Sequence, residues 1–417
     1  MTIASHQKKW LTLAGTIIAQ FALGSVYTWS LFNSPLANKI DEPVSQIAFS
    51  FGILSLALAF ASSISGKLQD RFGVKNVTIA AGILLGASLL LASHATNLIM
   101  LYICVGLLVG FADGTGYLMT MSNCVKFFPK HKGLASACAI GAYGLGSLGF
   151  KFINMYLLTH FSLEQAFAAW GMIAMVMVII GGLLMSDAPK QTINTTTDNV
   201  AQEKSLPIST EFTLSQSIRT PQFWMLATIF LSICMSGLYV IGVAKDIGEN
   251  YIHLSVTTAA TSVAVIAVAN LVGRLVLGVV SDKIERIKVI SFAVLVSFIG
   301  IAALTFGEPS GSVFYFAVAC IAFSFGGTIT VFPSLVSDFF GLNNLTKNYG
   351  VIYLGFGIGS ITGSILASIF GGFVPTFYVI MTLLILSLVL TLLMKHPNNK
   401  KANRQQLTTQ RTVQQNM

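Results

Sequence analysis

The residue with the clearest chemical meaning in this sequence is an arginine set among apolar side chains. Arg274 stands in Asn270-Leu-Val-Gly-Arg274-Leu-Val-Leu-Gly278, and Asp282 marks the polar boundary eight positions further on. At the helical rise per residue, Arg274 lies about 12 Å inward of that boundary. This is close to the middle of an apolar layer about 30 Å thick. A guanidinium keeps its proton in any protein setting, so its charge is permanent. A fixed cation at that depth calls for an anion, and its planar fork suits a carboxylate. The alternatives are snorkelling to the boundary or a structural pair with an acidic side chain.

Asp113, in Gly110-Phe-Ala-Asp113-Gly-Thr-Gly-Tyr117, is the second ionisable group in an apolar run. It lies about 20 Å from Lys126 by helical rise. Withdrawal from water penalises a charged carboxylate, so Asp113 is a candidate proton carrier. Its alternatives are pairing with Lys151 or hydrogen bonding at a helix bend beside the glycines. Tyr117 and Tyr143 lie about 13 and about 16 Å inward, and Tyr353 is somewhat shallower. Tyrosine hydroxyls can hydrogen-bond a carboxylate while the rings limit the size of a cavity. Each ring alone reads equally well as packing, but as a set beside Arg274 they read as a pocket.

A charged motif occurs twice. Gly66-Lys-Leu-Gln-Asp70-Arg71 and Gly278-Val-Val-Ser-Asp282-Lys283 are 212 positions apart. Tyr27 and Tyr239 share that offset, as do Phe127 and Phe339. The glycine allows close helix approach. The aspartate can meet a helix N-terminus or a basic neighbour. Gly66, Asp70, Arg71, Gly278, Asp282 and Lys283 are therefore candidate gate residues, and Asp338 is a further candidate at the same boundary.

These residues require elements that hold them in an apolar medium. Charged residues make up 9% of the 417 and hydrophobic ones 54%, against about 25% charged in an ordinary soluble domain. Mean hydropathy is +0.77. Runs of about 20 apolar residues suit bilayer-crossing helices. They fall near 10–32, 46–67, 76–95, 98–124, 133–158 and 164–186, then near 221–245, 256–280, 288–307, 311–337, 347–371 and 375–395. The expected fold is an all-α membrane protein of about 12 transmembrane helices in two six-helix pseudo-symmetric bundles. The expected divisions are 1–186, a cytoplasmic linker at 187–220, 221–395, and a disordered cytoplasmic tail at 396–417. A duplicated six-span unit around a central site is the major facilitator arrangement. Lys and Arg concentrate in alternate loops, among them Arg71, Lys126, Lys132, Arg286 and Lys347. That asymmetry places both termini in the cytoplasm.

The net charge of +9 is accounted for by these loops, which offer no basic face for nucleic acid. The five cysteines lie in apolar segments without metal-site or disulfide spacing. No nucleophile–base set or metal cluster stands at membrane depth, which argues against an enzyme. Neither a cofactor nor a metal is expected. Gly141-Ala-Tyr143-Gly144-Leu-Gly146 and Gly355-Phe-Gly357-Ile-Gly359 have no preceding strand, so they read as helix-packing and hinge segments rather than phosphate loops.

Over nearly its whole length the chain resembles the oxalate/formate antiporter family of the major facilitator superfamily, and within it an enterobacterial branch proposed to handle pyruvate. The resemblance is carried by Tyr27-Thr-Trp29-Ser, Lys132-Gly-Leu-Ala-Ser, Tyr143-Gly-Leu-Gly, Arg219-Thr-Pro221-Gln-Phe-Trp224, Phe332-Pro333-Ser334 and Asn348-Tyr349-Gly350. It implies a span-eight arginine, here Arg274, and a span-eleven lysine flanking a dicarboxylate. The lysine's place falls on Phe356. It further implies aromatic pocket positions at Tyr27, Tyr117, Tyr143 and Tyr353, with Phe325 where the family has tryptophan. One cation without its second partner suits one carboxylate, since an unpaired buried charge costs several kcal/mol.

The expectation is a secondary active transporter of a monocarboxylate such as pyruvate, lactate or formate, coupled to a proton. It is a monomeric, multi-pass protein of the bacterial inner membrane, in contact with lipid. The alternatives are an oxalate/formate-type anion exchanger and a transporter-like membrane sensor.

Overall fold

The computed structural model describes residues 3–189, 211–370 and 372–395. The expected tail and most of the expected linker lie outside the described residues. Among these residues the chain is helical and contains no strand. The helices are α1 (Ile3–Leu23), α2 (Asn33–Ile40), α3 (Val44–Ser93), α4 (Leu98–Phe127), α5 (Lys132–His160), α6 (Leu163–Leu184), α7 (Pro221–Asp246), α8 (Val256–Val280), α9 (Arg286–Phe306), α10 (Gly311–Phe340), α11 (Leu345–Ile352), α12 (Leu354–Phe370) and α13 (Phe373–Leu393). Among the described residues, nine helices are long and apolar enough to cross a membrane.

That count differs from the dozen expected spans for local reasons. The spans expected at 46–67 and 76–95 form one 50-residue helix, α3. It bends at Gly73, whose φ of 78° is open to glycine at little cost. The helix restarts at once because the Val74 amide donates to the Asp187 carboxylate at 3.0 Å. α8 has an apolar stretch only from Ala264 to Val280, since its first turns carry Thr257, Thr258, Thr261 and Ser262. The span expected at 347–371 is broken at Tyr353, between α11 and α12. α1 passes into a 3₁₀ segment, Gly24–Phe32, that carries Tyr27.

Helix starts follow ordinary capping chemistry. Ser162 and Gln165 form a reciprocal capping box at α6. Thr220 caps α7, with Pro221 at its first turn. Polarity is inverted relative to a water-soluble protein. Phe60, Phe152, Ile369 and Leu392 are exposed, whereas Gln20, Asp113, Asn123 and Asn154 are fully buried. Some of these buried groups hydrogen-bond one another in place of water. Gln20, for example, donates to the Tyr117 carbonyl at 2.8 Å and to Thr120 at 2.9 Å.

Glycines set how closely the site-bearing helices approach. A Cβ on Gly24 would overlap the Tyr143 carbonyl, and one on Gly146 the Phe21 carbonyl, so α1 and α5 cross in backbone contact. Gly273 against Phe323 and Gly326 against Asn270 do the same for α8 and α10. Gly114 lies on the Leu58 carbonyl and seats α4, with Asp113, on α3. Close backbone approach is the usual route to helix association where no water is present to drive it.

These contacts predict a contrast between two glycine substitutions. Gly146→Ala is expected to destabilise the fold by about 1–3 kcal/mol, because the added methyl meets backbone that cannot yield. Gly52→Ala, whose Cβ meets nothing within 4 Å, is expected to be neutral or stabilising by about 0.5–1 kcal/mol. Apparent melting temperatures of the two variants in detergent check the contrast.

Candidate functional site

Arg274 is 9% exposed. Its Nε donates to Asn270 Oδ1, one turn back on α8, at 2.7 Å. Its Nη1 donates to the Ile140 carbonyl of α5, also at 2.7 Å. Among the described residues no carboxylate pairs with it. The positive charge is therefore solvated by one amide oxygen and one backbone carbonyl, and not neutralised. A guanidinium has five N–H donors, so three remain for another partner. Gly144, one turn above Ile140, leaves the guanidinium room, because a Cβ there would sit 3.8 Å from Nη1.

An aromatic wall adjoins this cation. Tyr27 and Tyr143 meet edge to face at 5.5 Å, and Tyr143 meets Tyr117 at 5.0 Å. Tyr117 contacts Tyr353 at 5.5 Å. Tyr353 stacks on Phe356 at 5.1 Å with planes 7° apart, and Phe356 stacks on Phe325 at 6.4 Å. The break at Tyr353 sets the turn residue Tyr353 and Phe356 of α12 side by side. Tyr27 and Tyr117 both lie within the electrostatic reach of Arg274. Tyr27 is 37% exposed although Tyr143 and Phe51 lie against its ring. The seven candidate binding residues thus gather in one place from α1's continuation, α4, α5, α8, α10, the turn between α11 and α12, and α12.

Asp113 is fully buried behind this wall. Its Oδ2 accepts the Tyr143 hydroxyl at 2.7 Å, and its Oδ1 has no hydrogen-bond partner among the described residues. Lys151 is exposed, and no ion pair joins it to Asp113 among the described residues. Tyr143 is therefore the connection between Asp113 and the region of Arg274.

Below Arg274, toward the lysine-rich end, α5 and α8 come together. Asp282 accepts from the Gly133 and Leu134 amides at 2.8 and 2.9 Å, at the N-terminus of α5. Arg286 reaches Asp282 at 2.8 Å and Asp338 at 2.6 Å, and Lys132 reaches Asp338 at 2.9 Å. Ser136 donates to the Thr330 carbonyl at 2.6 Å. On the opposite side Lys347 pairs with Asp70 and lies against Gly66. Gly278 lies against Ala137 and the Gly133 carbonyl. Arg71 lies over the Phe72 ring and Lys283 is exposed. The basic partners at this end are thus Lys132, Arg286 and Lys347. Among the described residues, the hydrogen bonds and ion pairs between the chain's two halves all lie at or below the depth of Arg274.

Sequence reasoning passed over five participants. Asn270 carries a readable signal, an amide one helical turn before a buried arginine. Lys132, Arg286 and Lys347 carry a weaker one, being loop cations at the same end as the acidic motif. The Ile140 carbonyl carries none, since a backbone atom is chosen by helix placement.

Comparison with known proteins adds the following. The profile of the Major Facilitator Superfamily matches residues 12–340 and 237–415. YhjX of Escherichia coli (strain K12), described as an uncharacterized MFS-type transporter, is 62% identical over 362 residues, covering 87% of this chain and 88% of that protein. The oxalate:formate antiporter of Oxalobacter formigenes is 26% identical over 357 residues, covering 85% of this chain and 83% of its own. The solved structure of the MFS transporter FucP in the outward conformation superposes with a TM-score of 0.65 at 14% identity, over 92% of this chain and 99% of that one. That last likeness is one of fold.

The lysine-rich end yields a direct prediction. Replacing Asp282 by Asn weakens charge-assisted bonds worth about 1.5–3 kcal/mol. A cysteine at Ala137, buried at that interface, is then expected to react with a soluble maleimide about tenfold faster in detergent. The same cysteine with Asp282 intact supplies the reference rate.

Proposed function

The chain belongs to the Major Facilitator Superfamily, and from that membership and the site we propose that it carries small monocarboxylates, such as formate, lactate or pyruvate, by alternating access. The observation that carries this reading is the buried Arg274, which has no acidic partner among the described residues and adjoins an aromatic wall. A monocarboxylate brings one negative charge to one positive charge. A dicarboxylate would leave its second charge among Tyr117, Tyr353, Phe356 and Phe325, and an uncompensated buried charge is expensive. Phe356 occupies the place where the antiporter resemblance calls for a lysine, which favours a small apolar tail over a second carboxylate.

Tyr27, Tyr117, Tyr143 and Tyr353 hydrogen-bond and enclose the bound acid in this reading. Asp113 carries the coupled proton, handed through the Tyr143 hydroxyl. Asp70 and Asp282 hold the lysine-rich end shut. Charge asymmetry assigns that end to the cytoplasm, so the described state is closed inward and takes substrate from outside. Two six-helix halves, 1–186 and 221–395, rock about the site. The protein works as a monomer in the bacterial inner membrane. The similarity to an oxalate:formate antiporter supports small carboxylates as the cargo class. It also supports a second reading, anion exchange without a proton, in which Asp113 serves only to orient Tyr143.

Arg274→Gln is expected to lower formate and pyruvate uptake into proteoliposomes at least 100-fold while leaving the melting temperature intact. Unchanged uptake would remove Arg274 from the site. Asp113→Asn separates the two readings. Under proton coupling, uptake no longer responds to an imposed pH gradient; under exchange, wild-type and variant counterflow are equally indifferent to that gradient.

A further inference from the structure

The reading of Arg274 leaves open what holds its guanidinium in place before an acid arrives. Asn270 Oδ1 takes the Nε hydrogen at 2.7 Å. That removes the side-on grip, in which a carboxylate spans Nε and one Nη. The acceptor is a neutral amide, so it directs the guanidinium without cancelling its charge. Asn270 is itself given room by Gly326 of α10, where a Cβ would meet the Asn270 carbonyl and, at 3.0 Å, its Cγ. The second bond goes from Nη1 to the Ile140 carbonyl, across the boundary between the two halves. Around that carbonyl α5 has no bulk, since a Cβ on Gly141 would meet nothing within 4 Å.

We propose that Asn270 is a positioning residue that aims Arg274 at the Ile140 carbonyl, and that the substrate carboxylate takes that carbonyl's place on Nη1. The inference rests on the assignment of Arg274 as the substrate's cation and deepens it. The exchange is favoured because a carboxylate brings a full negative charge to the guanidinium, which the neutral Ile140 carbonyl does not. With Nε occupied, an incoming carboxylate is gripped end-on by Nη1 and Nη2, and Nη1 is the nitrogen that Ile140 now holds. The Arg274–Ile140 bond is also a tie between α8 and α5. It lies two helical turns above the contact of Asp282 with Gly133 on the same two helices. Substrate that takes Nη1 therefore releases the uppermost of the observed α5–α8 hydrogen bonds, and binding is connected to opening of the lysine-rich end by exchange of a single hydrogen bond.

The test uses purified full-length protein in liposomes with labelled formate and labelled pyruvate. It compares wild type, Asn270→Ala, Asn270→Asp and Arg274→Gln, each with a detergent melting temperature. Asn270→Ala is expected to raise KM about tenfold with kcat within about twofold, because only the aim of the guanidinium is lost. Asn270→Asp is nearly isosteric and should fold; it supplies Arg274 with a permanent internal anion and is expected to abolish saturable uptake at an unchanged melting temperature. A merely structural Asn270 would lower the melting temperature and the amount of folded protein, leaving KM unmoved. Wild-type KM in Asn270→Asp overturns the proposal, and that variant decides alone if Asn270→Ala fails to fold. Full uptake by Arg274→Gln, or a wild type that takes up neither anion, removes the reading beneath the proposal. An inactive Arg274→Gln beside wild-type-like Asn270 variants removes only the positioning role.

Discussion

A permanent positive charge held away from water must be answered by something, and in this protein the answer is only partial. Arg274 meets an amide oxygen and a backbone carbonyl. Neither neutralises it, and several of its N–H groups remain for another ligand. The surroundings follow from that choice. Glycines at 273 and 326 bring α8 onto α10, and glycines at 24 and 146 bring α5 onto α1. The guanidinium and the tyrosines are thereby set on backbone that cannot drift. Aromatic rings stand beside the cation, where a second fixed charge would admit a different class of anion.

The same two helices carry residues of both the proposed site and the lysine-rich end. α5 offers the Ile140 carbonyl in its middle and the Gly133 and Leu134 amides at its start. α8 offers Arg274 in its middle and Asp282 just past its end. The two contact levels are about 10–12 Å apart along each helix. In the proposed mechanism, helices that move as nearly rigid bodies carry a change at one level to the other and so connect occupancy of the site to the state of the gate. The charges at the end are arranged as a network. Asp282 and Asp338 share Arg286, and Asp338 also holds Lys132, so the loss of one member weakens the others.

Much of the fold was legible in the sequence, because lipid imposes apolar runs of about 20 residues that few other settings produce. The fusion of two expected spans into α3 was not legible, since it depends on Asp187 capping the chain from a distant segment at Gly73. The position of the break at Tyr353 was not legible either, although the glycine segment read as a hinge begins two residues later at Gly355. At the site, Arg274 and Asp113 declare themselves because an ionisable residue among apolar ones is costly. Their partners are less visible. Asn270 is one helical turn away and can be read, whereas Ile140 is 134 positions off and contributes a backbone atom. The two aspartates of the repeated motif do form ion pairs, but with cations from outside the repeated strings. Arg71 and Lys283 belong to the repeated strings, yet Lys347 and Arg286 make the contacts, because tertiary placement selects among nearby cations.

The central claim is that one uncompensated guanidinium selects singly charged acids. Uptake of labelled formate, lactate, pyruvate and oxalate by the purified protein in liposomes, compared side by side at one pH, tests it most directly. At least one monocarboxylate should show saturable uptake with kcat/KM at least tenfold above that for oxalate. Oxalate carried as well as or better than every monocarboxylate would contradict the account.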